Sequence, residues 1–231
     1  MSVAEPTQHV DDVSDAGDVG APPPLRGGQA HVGSHEGAGD RALAWWLVIA
    51  GSVGLVAAAT LLIEKIKLLT DSTYVPSCSL NPVLSCGSIM QTEQAEVLGF
   101  PNPIIGVAAF PVLLATGAAV LAGARMARWY WIGLQVGATA GTAFVGWLFF
   151  QSLYRINALC PYCMVVWIMV VPTFVAITAR NLRVGVLLGG AAQRRAGRFI
   201  TAWQAPVLLA ILVVATALIG ERFWSYWSTL L

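Results

Sequence analysis

Leu159-Cys160-Pro161-Tyr162-Cys163-Met164-Val165-Val166-Trp167-Ile168-Met169-Val170-Val171 is the stretch on which the reading of this chain turns. A loop carrying Arg155 gives way here to a long apolar segment, so a Cys-x-x-Cys pair stands at the mouth of a helix fit to cross a membrane. Two cysteines three apart share one helix face. The first lies near backbone N–H groups that no turn has yet used and at the positive end of the helix dipole. Cys160 is therefore expected to have a lowered pKa. Pro161 suits the first turn, where an N–H would have no partner in any case.

Working outward, five stretches contain no Asp, Glu, Lys or Arg: 42–63, 102–124, 129–154, 156–179 and 199–220. Each exceeds the roughly 20 residues that a helix needs to cross about 30 Å of hydrocarbon. With 57% hydrophobic residues, 11% charged and a mean hydropathy of +0.70 over 231 residues, the composition excludes an ordinary soluble domain. The predicted fold is all-α, a polytopic membrane protein with five transmembrane helices. Residues 1–39 are rich in Gly, Ala, Pro, Asp and His with no apolar run to seed a core, and read as a disordered tail. The tail opens on acids and lacks the basic and apolar regions of a signal peptide, so the first span is expected to direct insertion itself.

Alternating the loops across five spans sets nine arginines (26, 41, 125, 128, 180, 183, 194, 195 and 198) against Lys65, Lys67, Arg155 and Arg222. The richer side is predicted to be cytoplasmic, which puts the N-terminus inside and the C-terminus outside. Cys78 and Cys86, in the polar loop 64–101, and Cys160 and Cys163 then all face outward, although cysteine played no part in the count. Outside the cytosol, disulfides persist and turn over. The basic, Gly-rich loop 181–198 fits a connection near anionic lipid rather than a nucleic-acid site.

Trp45, Trp46, Trp129, Trp131, Trp224 and Trp227, with Tyr130 and Tyr226, fall at span ends and read as an interfacial belt. Gly133, Gly137, Ala138 and Gly141 in the third span are expected to let helices approach closely. His9, His31 and His35 all lie in the tail, so the spans offer no imidazole for haem, a Cys-His nucleophile pair or a typical zinc site. What remains is sulfur chemistry. Four thiolates have the ligand count for zinc, but the seven residues between Cys78 and Cys86 exceed the usual gap of two to four. Inert structural disulfides are the plainer alternative. Against them, a Cys160–Cys163 bridge closes so short a loop that it constrains the unfolded chain little and suits exchange better than stapling. A carrier moving electrons across the membrane would need a cysteine within the bilayer or at the cytosolic face.

The order of an apolar span, a Cys-x7-Cys loop, two spans and a Cys-x-x-Cys opening the fourth resembles the vitamin K epoxide reductase family, specifically its bacterial, DsbB-like disulfide-forming members. Cys78-Ser-Leu-Asn-Pro-Val-Leu-Ser-Cys86-Gly-Ser-Ile-Met90 is similar to the family's loop, and Asn102-Pro-Ile-Ile-Gly106 to the segment opening its second span. The resemblance covers residues 42 to about 180. It divides the chain into the tail 1–39, a four-helix bundle over 40–180 around a quinone site, the basic loop 181–198 and a fifth helix with an outer C-terminus over 199–231. A short half-helix after Cys86 would cover the pocket.

Carried over residue by residue, Cys163 lies against the quinone ring, Cys160 pairs transiently with Cys86, and Cys78 receives the thiolate of a partner. Asn102 matches a position that donates to a quinone carbonyl; read as a residue alone, it is a helix-start residue before Pro103. Thr92 falls near a serine or threonine of the half-helix. Trp167 stands where vertebrate members carry a ligand-binding tyrosine, and its indole has no hydroxyl to offer, which weighs against epoxide reduction more than quinone reduction. The implied activity is that of a quinone-dependent thiol:disulfide oxidoreductase in a bacterial inner membrane. It would draw electrons from a separate exported DsbA-like thioredoxin-fold protein and reduce menaquinone or ubiquinone. Reduction of vitamin K or its epoxide is the alternative within the fold, and a non-enzymatic scaffold the alternative outside it.

Overall fold

The computed structural model of the chain describes residues 33–71, 73–81, 83–187 and 191–228. In chain order the helices are α1 (Gly33–Thr70), α2 (Cys86–Met90), a 3-10 turn (Glu93–Glu96), α3 (Pro103–Leu121), α4 (Arg128–Gln151) running on through a π-helical turn (Ser152–Ile156), α5 (Pro161–Val184), α6 (Ala191–Arg222) and α7 (Trp224–Trp227). Five are long and apolar enough to cross a membrane, giving the all-α polytopic architecture the sequence predicts. Residues 1–32 of the expected tail lie outside the described residues, and α1 already begins at Gly33. Both α5 and α6 extend into the stretch 181–198, where Arg, Ala and Leu are good helix formers, so the link between them is short.

The spine of the bundle is an antiparallel pair. Small residues on α1 recur every three or four positions, and α3 lies directly on them. A Cβ at Gly117 would come 2.6 Å from the Ala44 carbonyl oxygen, one at Gly51 2.6 Å from Leu114 N, and one at Gly106 2.7 Å from Ala58 Cβ. At Gly54 it would fall inside the Phe110 ring. These glycines are needed because two helix backbones touch with nothing between them.

Helix α4 uses its small residues differently. A Cβ at Gly133 or Gly137 meets nothing within 4 Å, and one at Gly141 reaches only Val170 at 3.9 Å. The expectation of close helix approach is overturned: together with Ala138 these positions border a hollow. At the end away from the cysteines, hydrogen bonds draw the helices together. Trp46 Nε1 donates to Thr173 Oγ1 (2.9 Å), Gln135 Nε2 to Thr178 Oγ1 (2.9 Å), and buried Asn181 Nδ2 to the Trp131 carbonyl (3.2 Å).

The tryptophans divide accordingly. Trp45, Trp129 and Trp224 are exposed, as belt residues would be, but Trp131 is buried with the Arg180 guanidinium 3.5 Å from its ring centre, and Trp46 turns inward to α5. A span-end tryptophan whose helix face meets a neighbour joins the core, and here the indole also offers its π face to a cation.

Candidate active site

Two adjacent residues at the end of α1 hold the loop that carries the first cysteine pair. Glu64, buried, accepts hydrogen bonds from Tyr74 Oη (2.8 Å), Ser77 N–H (3.3 Å) and Ser77 Oγ (3.0 Å), fixing the approach to Cys78. Lys65, also buried, donates to the Met90 carbonyl (2.6 Å) and pairs with Glu96 at 2.8 Å, fixing the segment after Cys86. A buried charge is tolerable only when paired and hydrogen-bonded, and each of these spends its bonds on the loop.

The second cysteine pair meets the first through backbone. Leu159 N–H donates to the Val83 carbonyl (2.7 Å) and Ser85 N–H to the Leu159 carbonyl (3.0 Å), making a single parallel bridge between Leu84 and Leu159. The residues that follow these anchors are Cys86 and Cys160. Cys78 and Cys86 are joined as a disulfide with Cα atoms 5.6 Å apart, and the Cys160 sulfur lies 3.1 Å from that of Cys86. Cys86 carries no hydrogen in the disulfide, so the Cys160 thiol is the donor. The sulfurs of Cys78, Cys86 and Cys160 all lie within 4.8 Å of one another.

Cys160 occupies the N-cap of α5 with extended backbone, Pro161 takes the first turn, and Cys163 N–H donates to Cys160 Sγ at 3.4 Å. A hydrogen bond from the Cys163 thiol, followed by the N–H groups of Cys163 and Tyr162, holds the Cys160 thiol below its ordinary pKa against the upward push of burial.

Beneath the sulfurs is a cavity of about 550 Å³. Its roof is α2 and the 3-10 turn, its cysteine end includes Cys86, Cys160 and Cys163, and its walls come from α1, α3, α4 and α5, with Gly133, Gly137 and Gly141 leaving the room. Thr92, Asn102 and Trp167 all line it. Thr92 Oγ1 donates to the Ile89 carbonyl (2.7 Å), and Trp167 packs edge-on against Phe149 with ring centres 4.9 Å apart. Asn102 does not cap α3 with its side chain. Its Nδ2 donates to the Gln94 carbonyl (2.7 Å) and its N–H to the Ala95 carbonyl (2.9 Å), tying α3 to the roof. Because the Gln94 oxygen can only accept, the amide orientation is fixed. Asn102 Oδ1 is then the one buried side-chain polar atom without a hydrogen bond among the described residues lining the cavity.

Six of the seven site residues expected from the sequence therefore line one cavity, and Cys78 stands outside its lining, joined to it through the disulfide to Cys86. Sequence reading missed Glu64 and Lys65, which count there only as charges ending an apolar stretch, and Tyr130, which lines the far end and is hydrogen-bonded to Thr116. A charged pair at a span end, followed within a short loop by Cys-x7-Cys, is the signal available for the first two.

The family model described as the vitamin K epoxide reductase family matches residues 45–178, which include all four cysteines and every wall of the cavity. No individual curated protein matches the chain.

Proposed function

The chain belongs to the vitamin K epoxide reductase family, whose members are membrane thiol–disulfide oxidoreductases, and from that premise we propose that it is a quinone-dependent thiol oxidase sustaining disulfide formation outside the cytosol. The observation that carries the reading is the 3.1 Å contact between Cys86 and Cys160 above an apolar cavity that Cys163 also borders. Exchange needs a thiolate at the sulfur of a disulfide, and a relay needs one sulfur of each pair in contact.

In this reading a thiolate of an exported DsbA-like thioredoxin-fold partner attacks Cys78 and releases Cys86. Cys86 then attacks Cys160 in the Cys160–Cys163 disulfide, and Cys163 leaves as a thiolate at the cavity. The partner's resolving cysteine closes its own bridge and frees Cys78. Cys78 next closes on Cys86 and frees Cys160, so one pair of electrons has moved from the partner to the Cys160–Cys163 dithiol. Cys78 is buried here, so partner docking must uncover it.

The quinone, menaquinone or ubiquinone, supplies a two-electron, two-proton acceptor for that dithiol. The residues fit such a ring: the walls are apolar, Asn102 Oδ1 lacks a partner, and its second amide hydrogen is uncommitted. The amide hydrogen serves a ring carbonyl, and Oδ1 a ring hydroxyl after reduction. Thr92 has already given its hydrogen to Ile89 and can only accept. Trp167, packed edge-on against Phe149, supplies an aromatic wall. The protein's part is to hold the thiols, lower the Cys160 pKa and exclude water.

The nine-to-four charge count supports an orientation in a bacterial cell membrane with the N-terminus cytoplasmic and the cysteines on the outer face. The division into a tail, a bundle with its outer cysteine loop, a basic connection and a fifth helix belongs to the same reading, with α1, α5 and α6 running past the boundaries expected from the sequence.

The experiment is quinone absorbance after adding a reduced thioredoxin-fold dithiol protein to the purified chain, beside Cys160→Ala and Cys78→Ala. Loss of the quinone signal, abolished by Cys160→Ala and sharply slowed by Cys78→Ala, supports the relay and its direction. A quinone that stays oxidised with several donors overturns it.

A further inference from the structure

Helix α6 is the part of the chain with no evident work. Its side chains are largely exposed, it lines no part of the cavity, and across 195–223 only Gly197 and Phe223 are buried. Gly197 lies against the α5 backbone, where a Cβ would meet Arg183 N at 2.6 Å. The other anchorage, at the cysteine end, is unlike ordinary helix packing. Arg222 Nε donates to the Leu153 carbonyl at 3.0 Å, and Arg222 Nη2 donates to Asn157 Oδ1. Leu153 sits in the π-helical turn that ends α4, where the last carbonyls lack intrahelical partners. Asn157 is the one described non-glycine residue with left-handed backbone (φ 57°, ψ 37°), and it redirects the chain from α4 toward Leu159 and Cys160.

Directly beneath, Phe223, with Leu218, Ile219 and Tyr226 partly buried beside it, packs into one apolar cluster with Val83, Leu84, Leu153 and Leu159. These include residues of both strands of the Leu84–Leu159 bridge. The end of α6 thus grips both segments that deliver sulfur, by a guanidinium fork on one and an aromatic ring under both.

We infer that α6 fastens the exchange site, with Arg222 a positioning residue that keeps Cys160 against Cys86 by capping the end of α4 and orienting the Asn157 turn. The inference rests on the relay reading above, and it assigns the fifth helix to the sulfur-to-sulfur step rather than to the cavity. A planar guanidinium suits this because Nε and Nη2 are held in one rigid fork that fixes the geometry between its two acceptors, whereas an ammonium is a point charge on a flexible stem.

The test isolates that step. In a Cys78→Ala/Cys163→Ala parent, Cys86 and Cys160 are the remaining cysteines, and diamide joins them as it takes up their two electrons and two protons. The rate of bridge formation is followed in the full chain with Arg222, with Arg222→Ala, with Arg222→Lys and with Asn157→Gly, which keeps the left-handed backbone but loses the side-chain bond. Titration of menadione against tryptophan fluorescence in the same proteins reports the cavity.

Arg222→Ala is expected to slow bridge formation about ten- to a hundredfold, the scale of a 1 Å misplacement. Arg222→Lys and Asn157→Gly should fall between it and the parent, with menadione binding unchanged in all. An Arg222→Ala rate equal to the parent's overturns the inference alone. So does a parallel loss of menadione binding, which would make Arg222 a residue of the general fold. A parent that forms no Cys86–Cys160 bridge overturns the relay itself.

Discussion

Lys65, buried at the end of α1, stands 2.8 Å from the carboxylate of Glu96 and 2.6 Å from the carbonyl of Met90, so one side chain holds both ends of the roof over the cavity. Lys65→Met keeps the volume and removes both bonds. It leaves the Met90 carbonyl without its donor, a loss of about 1–3 kcal/mol. Hydrogen exchange at amides 90–96 should quicken while amides within α3 stay protected; equal protection in the two proteins would show that the roof does not depend on this lysine.

Glu64 governs the other side of the loop. Three hydrogen bonds from Tyr74 and Ser77 converge on its carboxylate, and Cys78 is buried just beyond them. Glu64→Ala is expected to expose Cys78. After reduction of the Cys78–Cys86 bridge, maleimide labelling of Cys78, read by mass spectrometry, should quicken at least about tenfold relative to wild type, since a buried site is labelled only when it opens.

Cys160 owes its low pKa first to the Cys163 thiol. The lowered pKa means that Cys160 reaches the thiolate form at a lower pH than the same thiol would without these donors. Labelling of Cys160 in a Cys78→Ala/Cys86→Ala background should therefore rise with pH through a midpoint set by that lowered pKa. Adding Cys163→Ala removes the largest cause and should move the midpoint upward. A downward shift or none would contradict the geometry.

Glycines on α4 and α1 should respond in opposite ways to a side chain. Gly137→Phe has open space in front of it, so the thermal midpoint should hold while quinone binding weakens at least about tenfold, the ring taking volume the ligand needs. Gly51→Ala forces a Cβ to 2.6 Å from the α3 backbone and should cost about 1–3 kcal/mol as overpacking. Measuring unfolding and quinone titration on both variants separates wall from spine.

The five spans and the two cysteine pairs are readable from the sequence because each rests on a local property, apolar length or residue spacing. What the sequence does not carry is which faces meet. Gly133 and Gly51 read alike as small residues in an apolar helix, yet one borders a hollow and the other a backbone, and the difference lies in the position of a second helix. Trp129 and Trp131 are two residues apart at one span end, and only the helix turn makes the first exposed and the second core. Glu64, Lys65 and Arg222 appear in the sequence as charges to be counted, because their roles are set by bonds to backbone atoms distant along the chain.

The Leu84–Leu159 bridge joins segments that a ribosome makes far apart in time. Cys78 and Cys86 both emerge before α3, whereas Cys160 follows only after α3 and α4 are complete. During that interval the one cysteine available to Cys86 is Cys78, and closing the short loop between them carries a smaller entropic cost than closing one that spans two helices. The order of synthesis thus favours the Cys78–Cys86 pairing, and the contact between Cys86 and Cys160 is added last, when the strands dock. A nascent chain arrested before α5 is made would hold a complete first pair and no exchange site.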